Sequence, residues 1–126
     1  MYGILFRAAA ETLQEVAANP KHLGAEIGIL AVLHTWGQNL MHHPHVHCVV
    51  SGGGLAPDHS RWVHGKQSHR RKKLFFAPVA ILSSVFRGKF IDFLKQAFRR
   101  GQLAFHGKLA PLAEPAMFEC RLDTAV

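Results

Sequence analysis

Apolar residues in the first third of the chain follow two different spacings, and each spacing predicts one element. Between residues 4 and 18 they recur every three or four positions, which is typical of one face of an amphipathic helix, and Asn19-Pro20 should end that helix. From residue 24 to 35, Ile, Leu and Val are dense and glycines punctuate the segment. We interpret this segment as a strand, with helix as the alternative for residues 25–40.

The middle of the chain contains shorter patterns that predict strands. Residues 46–51 (VHCVVS) form the clearest strand, and the triple glycine at 52–54, where the backbone turns freely or passes close to something, should stop it. The remaining elements predicted here are a turn at 56–58, a short strand at 61–63, a basic loop at 66–73 and a short strand at 74–77.

The last third of the chain predicts one long helix. Pro78 suits the first turn of a helix, apolar residues then mark one buried face as far as Arg100, and Gly101 is the expected C-terminal stop. A short strand is expected at 103–105, and prolines interrupt the segment 109–118.

Composition narrows the class of protein. The 126 residues suffice for one domain or part of one, and a hydrophobic content of 48% is too high for a disordered tail. The longest apolar run, residues 27–33, is too short to span a membrane, and nothing after Met1 resembles a signal peptide. Cys48 and Cys120 form no Cys-x-x-Cys pair, so neither a disulfide framework nor a zinc ribbon is expected. We therefore expect a cytoplasmic protein.

The positive charge is concentrated in one segment. The net charge is +7, yet residues 61–108 hold twelve basic residues and one acid, while the rest of the chain holds three basic and seven acidic residues. A fold that gathers this segment on one face would bind phosphate with salt-sensitive affinity. A solvated basic face is the alternative.

Histidines cluster at residues 42–47 (HHPHVH), and this run is where metal chemistry is expected. Alternation along a strand would place His43, His45 and His47 on one side, with Val46 and Cys48 facing the core. Two imidazoles at i and i+2 are able to hold a divalent cation and leave coordination positions open, as catalysis requires. Surface histidines at the start of a strand are the alternative.

The residues around this run resemble a known family. Residues 33–40 (LHTWGQNL) and 43–55 (HPHVHCVVSGGGL) are similar to the HUH block of two-tyrosine rolling-circle transposases from insertion sequences of the ninety-one type. Three further stretches carry the same resemblance: 5–13 (LFRAAAETL), 19–25 (NPKHLGA), and 75–79 (FFAPV) running into 85–90 (VFRGKF). The resemblance covers nearly all of the chain and fades after about residue 110.

The resemblance implies a fold and a metal site. The fold would be α+β, an antiparallel sheet of an HUH endonuclease core with helices packed on it, and the core is expected to be incomplete here. His45 and His47 would bind a divalent metal, Mg or Mn, and the metal would polarise a phosphate of single-stranded DNA at insertion-sequence ends. Candidates for a third ligand are His43, His34 and Gln38.

The nucleophile of the family is not found in this sequence. Two tyrosines four residues apart attack DNA in the family, whereas Tyr2 is the single tyrosine here, and the cysteine-rich zinc segment is also absent. We therefore assign no catalytic residue. We interpret residues 1–126 as a single partial domain, a truncated transposase core that is expected to be inactive alone.

The remaining candidate site residues are those expected to contact DNA. The preferred phosphate contacts lie in the basic portion, residues 61–108, and are Arg70, Arg71, Lys72, Lys73, Arg87, Lys89, Arg99 and Arg100. Trp36 and Trp62 are candidates to stack on unpaired bases, with packing against the protein as the commoner fate of tryptophan. The other histidines are expected to be ordinary surface residues. A non-catalytic nucleic-acid-binding module and a non-functional relic are the alternative functions.

Overall fold

The computed structural model describes residues 1–37, 42–65 and 77–125, and within them the chain has an α+β fold. The elements in chain order are helix α1 (Tyr2–Ala18), strands β1 (Glu26–Trp36), β2 (His42–Leu55) and β3 (Trp62–His64), helix α2 (Val79–Arg99), a 3₁₀ helix (Gly107–Ala113) and helix α3 (Pro115–Thr124). The strands form one antiparallel sheet in the order β1-β2-β3. The expected fold class is confirmed at this level.

Helix α1 forms where the apolar spacing predicts it. Its buried residues include Ala8, Thr12 and Val16, which are four positions apart and so lie on one face. The helix ends at Asn19, whose carbonyl accepts the N–H of residues 22, 23 and 24. Gly24 adopts a φ of 68°, which a side chain rarely tolerates, and the chain then enters β1.

The strand interpretation of residues 24–35 is confirmed by β1. Pairing with β2 places Leu30 opposite Val49, Val32 opposite His47 and His34 opposite His45. Along β1 one set of alternating residues, including Ile27 and Ile29, packs in or against the core, and the other set is exposed.

The expectation that the glycine triplet stops the strand is wrong, because β2 continues through it to Leu55. A Cβ on Gly53 would overlap the Val63 carbonyl of β3, and a Cβ on Gly54 would overlap the Glu26 carbonyl of β1. The two glycines therefore allow the three strands to approach one another.

Both long helices pack on the same face of the sheet. The core cluster joins Val16 and Ala17 of α1 to Ile27 of β1, and Ile81, Leu82 and Val85 of α2 pack against it. Helix α2 runs antiparallel to α1, since Arg7 lies 4.0 Å over the ring of Phe93 while Lys89 pairs with Glu15. The predicted helix is confirmed, and Gly101 follows it with a φ of 66°.

The C-terminal segment differs from expectation. Residues 103–105 form no strand, and Phe105 instead packs with Phe98 and Phe118, whose rings stack with centres 4.2 Å apart. Helix α3 was not predicted because two prolines suggested irregular chain. Pro115 lies in the first turn of α3, where its missing N–H costs no hydrogen bond.

The second face of the sheet is uncovered by any element within the described ranges. It exposes 63% of Leu30, 44% of Val32, 63% of Trp36 and 67% of Val49, and we call this surface the open face. The basic loop expected at 66–73 and most of the strand expected at 74–77 lie outside the described residues. Among the described helices, none combines the length and hydrophobicity that crossing a membrane requires.

Candidate metal centre

Three histidines from two adjacent strands meet on the open face. His34 of β1 and His45 of β2 are directly opposite in the register, and His47 follows His45 by two residues on the same side of β2. One ring nitrogen from each of these histidines lies within 4.8 Å of the other two. We call this group the histidine triad.

The rings of the triad are close enough to share one ion. The ring centre of His34 is 5.5 Å from that of His45 and 4.3 Å from that of His47, and the His45 and His47 centres are 4.9 Å apart. Nδ1 of His45 lies 2.7 Å from the backbone carbonyl oxygen of His43 and donates its proton there. Because that bond keeps the proton on Nδ1, Nε2 of His45 remains available as a ligand.

The chemistry of the triad fits a divalent transition metal. Neutral imidazoles suit such ions, and three protein ligands leave coordination positions open for water or a substrate oxygen. His34 and His47 are exposed and His45 is half-buried, so a substrate has access from solvent. The neighbouring Cys48 lies on the other side of β2, where burial raises the pKa of its thiol and keeps it protonated.

Of the other expected ligands, His43 does not join the triad. The ring centre of His43 is 5.1 Å from that of His45, but His43 is not part of the 4.8 Å group. The strand pairing slips by one residue between the pairs His34–His45 and Trp36–His42, and His43 lies within this irregularity. Gln38 lies outside the described residues.

Tyr2 lies closer to the histidines than the sequence indicated. Its hydroxyl is 3.0 Å from Nε2 of His42, and the ring of His42 stands edge-on to Trp36 with centres 6.1 Å apart. The start of α1 therefore reaches the end of the sheet that carries the histidines. No spacing in the sequence predicts this contact, because it depends on how α1 lies across the sheet.

The residues predicted to contact DNA differ in their exposure and in their ion pairing. Arg70, Arg71, Lys72 and Lys73 lie outside the described residues, whereas Arg87, Arg99 and Arg100 are exposed on or directly after α2. Lys89 is mostly covered, and its Nζ lies 2.5 Å from Oε2 of Glu15 and 3.9 Å from Oε2 of Glu11. A phosphate at Lys89 would have to compete with these two carboxylates.

The fold and this centre define an α+β protein with a solvent-accessible, metal-capable histidine triad on an antiparallel sheet. Residues 28–125 match the family described as "Putative transposase", and because this covers most of the chain, the chain belongs to that transposase family.

Two similar proteins are also described as transposases. The chain is 54% identical over 118 residues to "Putative transposase y4qJ" of Sinorhizobium fredii, a match that covers 94% of this chain and 28% of the relative. It is 49% identical over 51 residues to "Transposase for insertion sequence element IS801" of Pseudomonas savastanoi pv. phaseolicola, covering 40% of this chain and 12% of that protein. The chain thus spans less than a third of either relative. No solved structure gives a significant match.

Proposed function

We propose that this chain is the metal-binding core of an HUH-type two-tyrosine transposase and that it binds single-stranded DNA through a metal held by the histidine triad. The supporting observation is the triad itself, with ring nitrogens of His34, His45 and His47 within 4.8 Å of one another on an uncovered sheet face. The family match supports a role in DNA transposition.

Each residue of the triad would supply one imidazole nitrogen to the metal. His45 is pre-oriented by its bond to the His43 carbonyl, His34 approaches from the adjacent strand β1, and His47 lies two residues further along β2. A bound divalent ion would polarise an oxygen of the scissile phosphate. The metal expected from the family resemblance is Mg or Mn, and a set of three imidazoles with no carboxylate favours Mn over Mg.

We assign strand cleavage to tyrosines outside this segment. The single tyrosine of the chain, Tyr2, is hydrogen-bonded to His42 at the edge of the histidine cluster, and no second tyrosine follows it at the spacing of the family. In this proposal the chain contributes metal and DNA binding, with residues 61–108 as its basic, DNA-contacting portion.

Manganese titration tests the proposal. Removing two ligands in His45→Ala/His47→Ala should weaken Mn binding by roughly 100-fold or more, beyond the 10–100-fold that loss of an outer-shell partner costs. His64→Ala is the matched control, since His64 is an exposed histidine on β3 and lies outside the triad. Equal Mn affinity in the wild type and the double variant would overturn the assignment.

A further inference from the structure

The open face places apolar side chains on both sides of the histidine triad. Trp36 follows His34 by two residues on β1 and is 63% exposed. On the other side, Leu30 and Val49 are directly opposite each other and are 63% and 67% exposed. At the rise of an extended strand, Trp36 lies about 7 Å and Leu30 about 13 Å from His34 along β1, so the surface is about 20 Å long.

The two tryptophans of the chain differ in what they contact. The indole of Trp62 lies against Gly53, where an added Cβ would come within 2.7 Å of Nε1. Trp62 of β3 is paired with Leu55 of β2, and Leu55 is paired with Glu26 of β1. The end of the sheet that carries Trp62 therefore also carries a carboxylate. Trp36, by contrast, has the ring of His42 beside it at a steep angle and is still 63% exposed.

Beyond Glu26, the two strands of the open face carry no negative charge that would repel a polyanion. Strand β2 and residues 27–36 of β1 contain no aspartate or glutamate. A phosphate backbone therefore meets no carboxylate along this part of the two strands, and the apolar side chains have no described element to cover them. Unpaired bases have the flat apolar faces that such side chains accept.

We propose that the open face is a base-stacking platform, in which Trp36 stacks on an unpaired base next to the phosphate at the histidine triad and Leu30 and Val49 contact a base on the other side. This inference rests on the proposed function, because it places the DNA strand across the metal. Its occupant is single-stranded nucleic acid rather than a second copy of this chain.

Oligonucleotide binding by matched tryptophan variants tests the platform. In the presence of Mn, Trp36→Ala should bind a fluorescein-labelled (dT)₈ about tenfold more weakly, the effect expected for one lost aromatic stack, whereas Trp62→Ala should change affinity less than twofold. Trp36→Phe should restore most of the affinity, since a ring face is retained. Equal losses in Trp36→Ala and Trp62→Ala would overturn the proposal.

An abasic oligonucleotide separates stacking from phosphate binding. It keeps the phosphates and lacks bases, so wild type and Trp36→Ala should bind it equally; a tenfold difference would show that Trp36 does not act through a base. The Mn affinity of Trp36→Ala should equal that of the wild type. Normal Mn binding by the triad variants would show that the metal assignment is wrong. If Trp36→Ala still binds (dT)₈ more weakly and binds the abasic strand as the wild type does, the base-stacking platform is supported independently of the metal.

Sedimentation addresses the competing occupant. The wild-type chain should remain monomeric at the concentrations used for DNA binding. A dimer that dissociates in Trp36→Ala, with no change in (dT)₈ affinity per monomer, would show that the open face binds a second copy and would overturn the proposal.

Discussion

Alanine substitutions along the glycine triplet should destabilise the fold to very different degrees, although the three positions are adjacent. A Cβ at Gly54 would overlap the carbonyl of Glu26 in β1, an eleven-residue strand that cannot move without disturbing the core. A Cβ at Gly53 would overlap the Val63 carbonyl, but β3 has three residues and is better able to shift. At Gly52 nothing lies within 4 Å, and its φ is not positive.

These contacts set the expected magnitudes. Overpacking against backbone costs about 2 kcal/mol, so Gly54→Ala should lower the midpoint of thermal unfolding by about 8 °C at roughly 4 °C per kcal/mol for a chain of this size. Gly53→Ala should lose about half as much. Gly52→Ala should stay within about 1 kcal/mol of the wild type, on the stabilising side, because alanine reduces the entropy of the unfolded chain.

Circular dichroism during heating measures all three variants against the wild type, and guanidinium titration provides an independent midpoint. If Gly54→Ala unfolds at the same temperature as Gly52→Ala, then the strands do not approach as described and the glycines serve another purpose, such as passage of DNA.

Three further outcomes follow from the structure. Arg99→Ala/Arg100→Ala should lower the slope of log affinity for (dT)₈ against log salt by about 1.4, at roughly 0.7 per phosphate contact on a single strand, as measured by fluorescence anisotropy; an unchanged slope would remove both residues from the DNA-binding surface. No covalent adduct should form with single-stranded DNA and Mn in denaturing gels, and Tyr2→Phe should behave like the wild type; a tyrosine-linked 5′ product would contradict the absence of a nucleophile. Exposed Cys120 should react with a thiol reagent well before Cys48, whose raised pKa and burial protect it, and Cys120→Ser should leave one slow thiol.

The elements with strong local patterns were predictable from sequence, and the reasons are physical. Helices α1 and α2 bury one face each, so their apolar spacing records the helical period directly. Strand β1 alternates between core and open face. Helix α3 escaped prediction because Pro111 and Pro115 look like breakers, although the first lies in a 3₁₀ helix and the second in the first turn of α3.

The candidate site was predictable only in part. The resemblance and the alternation along one strand together point to His45 and His47 on one face. The arrival of His34 beside them depends on the register between β1 and β2, and register is set by pairing across the sheet rather than by either strand alone. His43 lies at the irregularity in this register and outside the group, and its carbonyl accepts a hydrogen bond from Nδ1 of His45.

Some residues of the basic segment form ion pairs between helices, which composition alone does not show. Lys89 bridges α2 to Glu15 of α1, and Lys95 lies 2.8 Å from Glu119 of α3, which raises the pKa of Lys95. Part of the positive excess therefore holds helices together, and the exposed arginines at the end of α2 are better placed for phosphate. The last turns of α2 adjoin the start of α1, whose Tyr2 reaches the histidine end of the sheet.

X-ray absorption at the metal edge of the Mn-loaded chain tests the central claim most directly, because it counts the imidazoles bound to the ion. The triad predicts three imidazole ligands in the wild type and two in His34→Ala, with the His64→Ala control unchanged at three. A spectrum with oxygen ligands alone, or one that is the same in the wild type and His34→Ala, would contradict the assignment of His34, His45 and His47 as one metal centre.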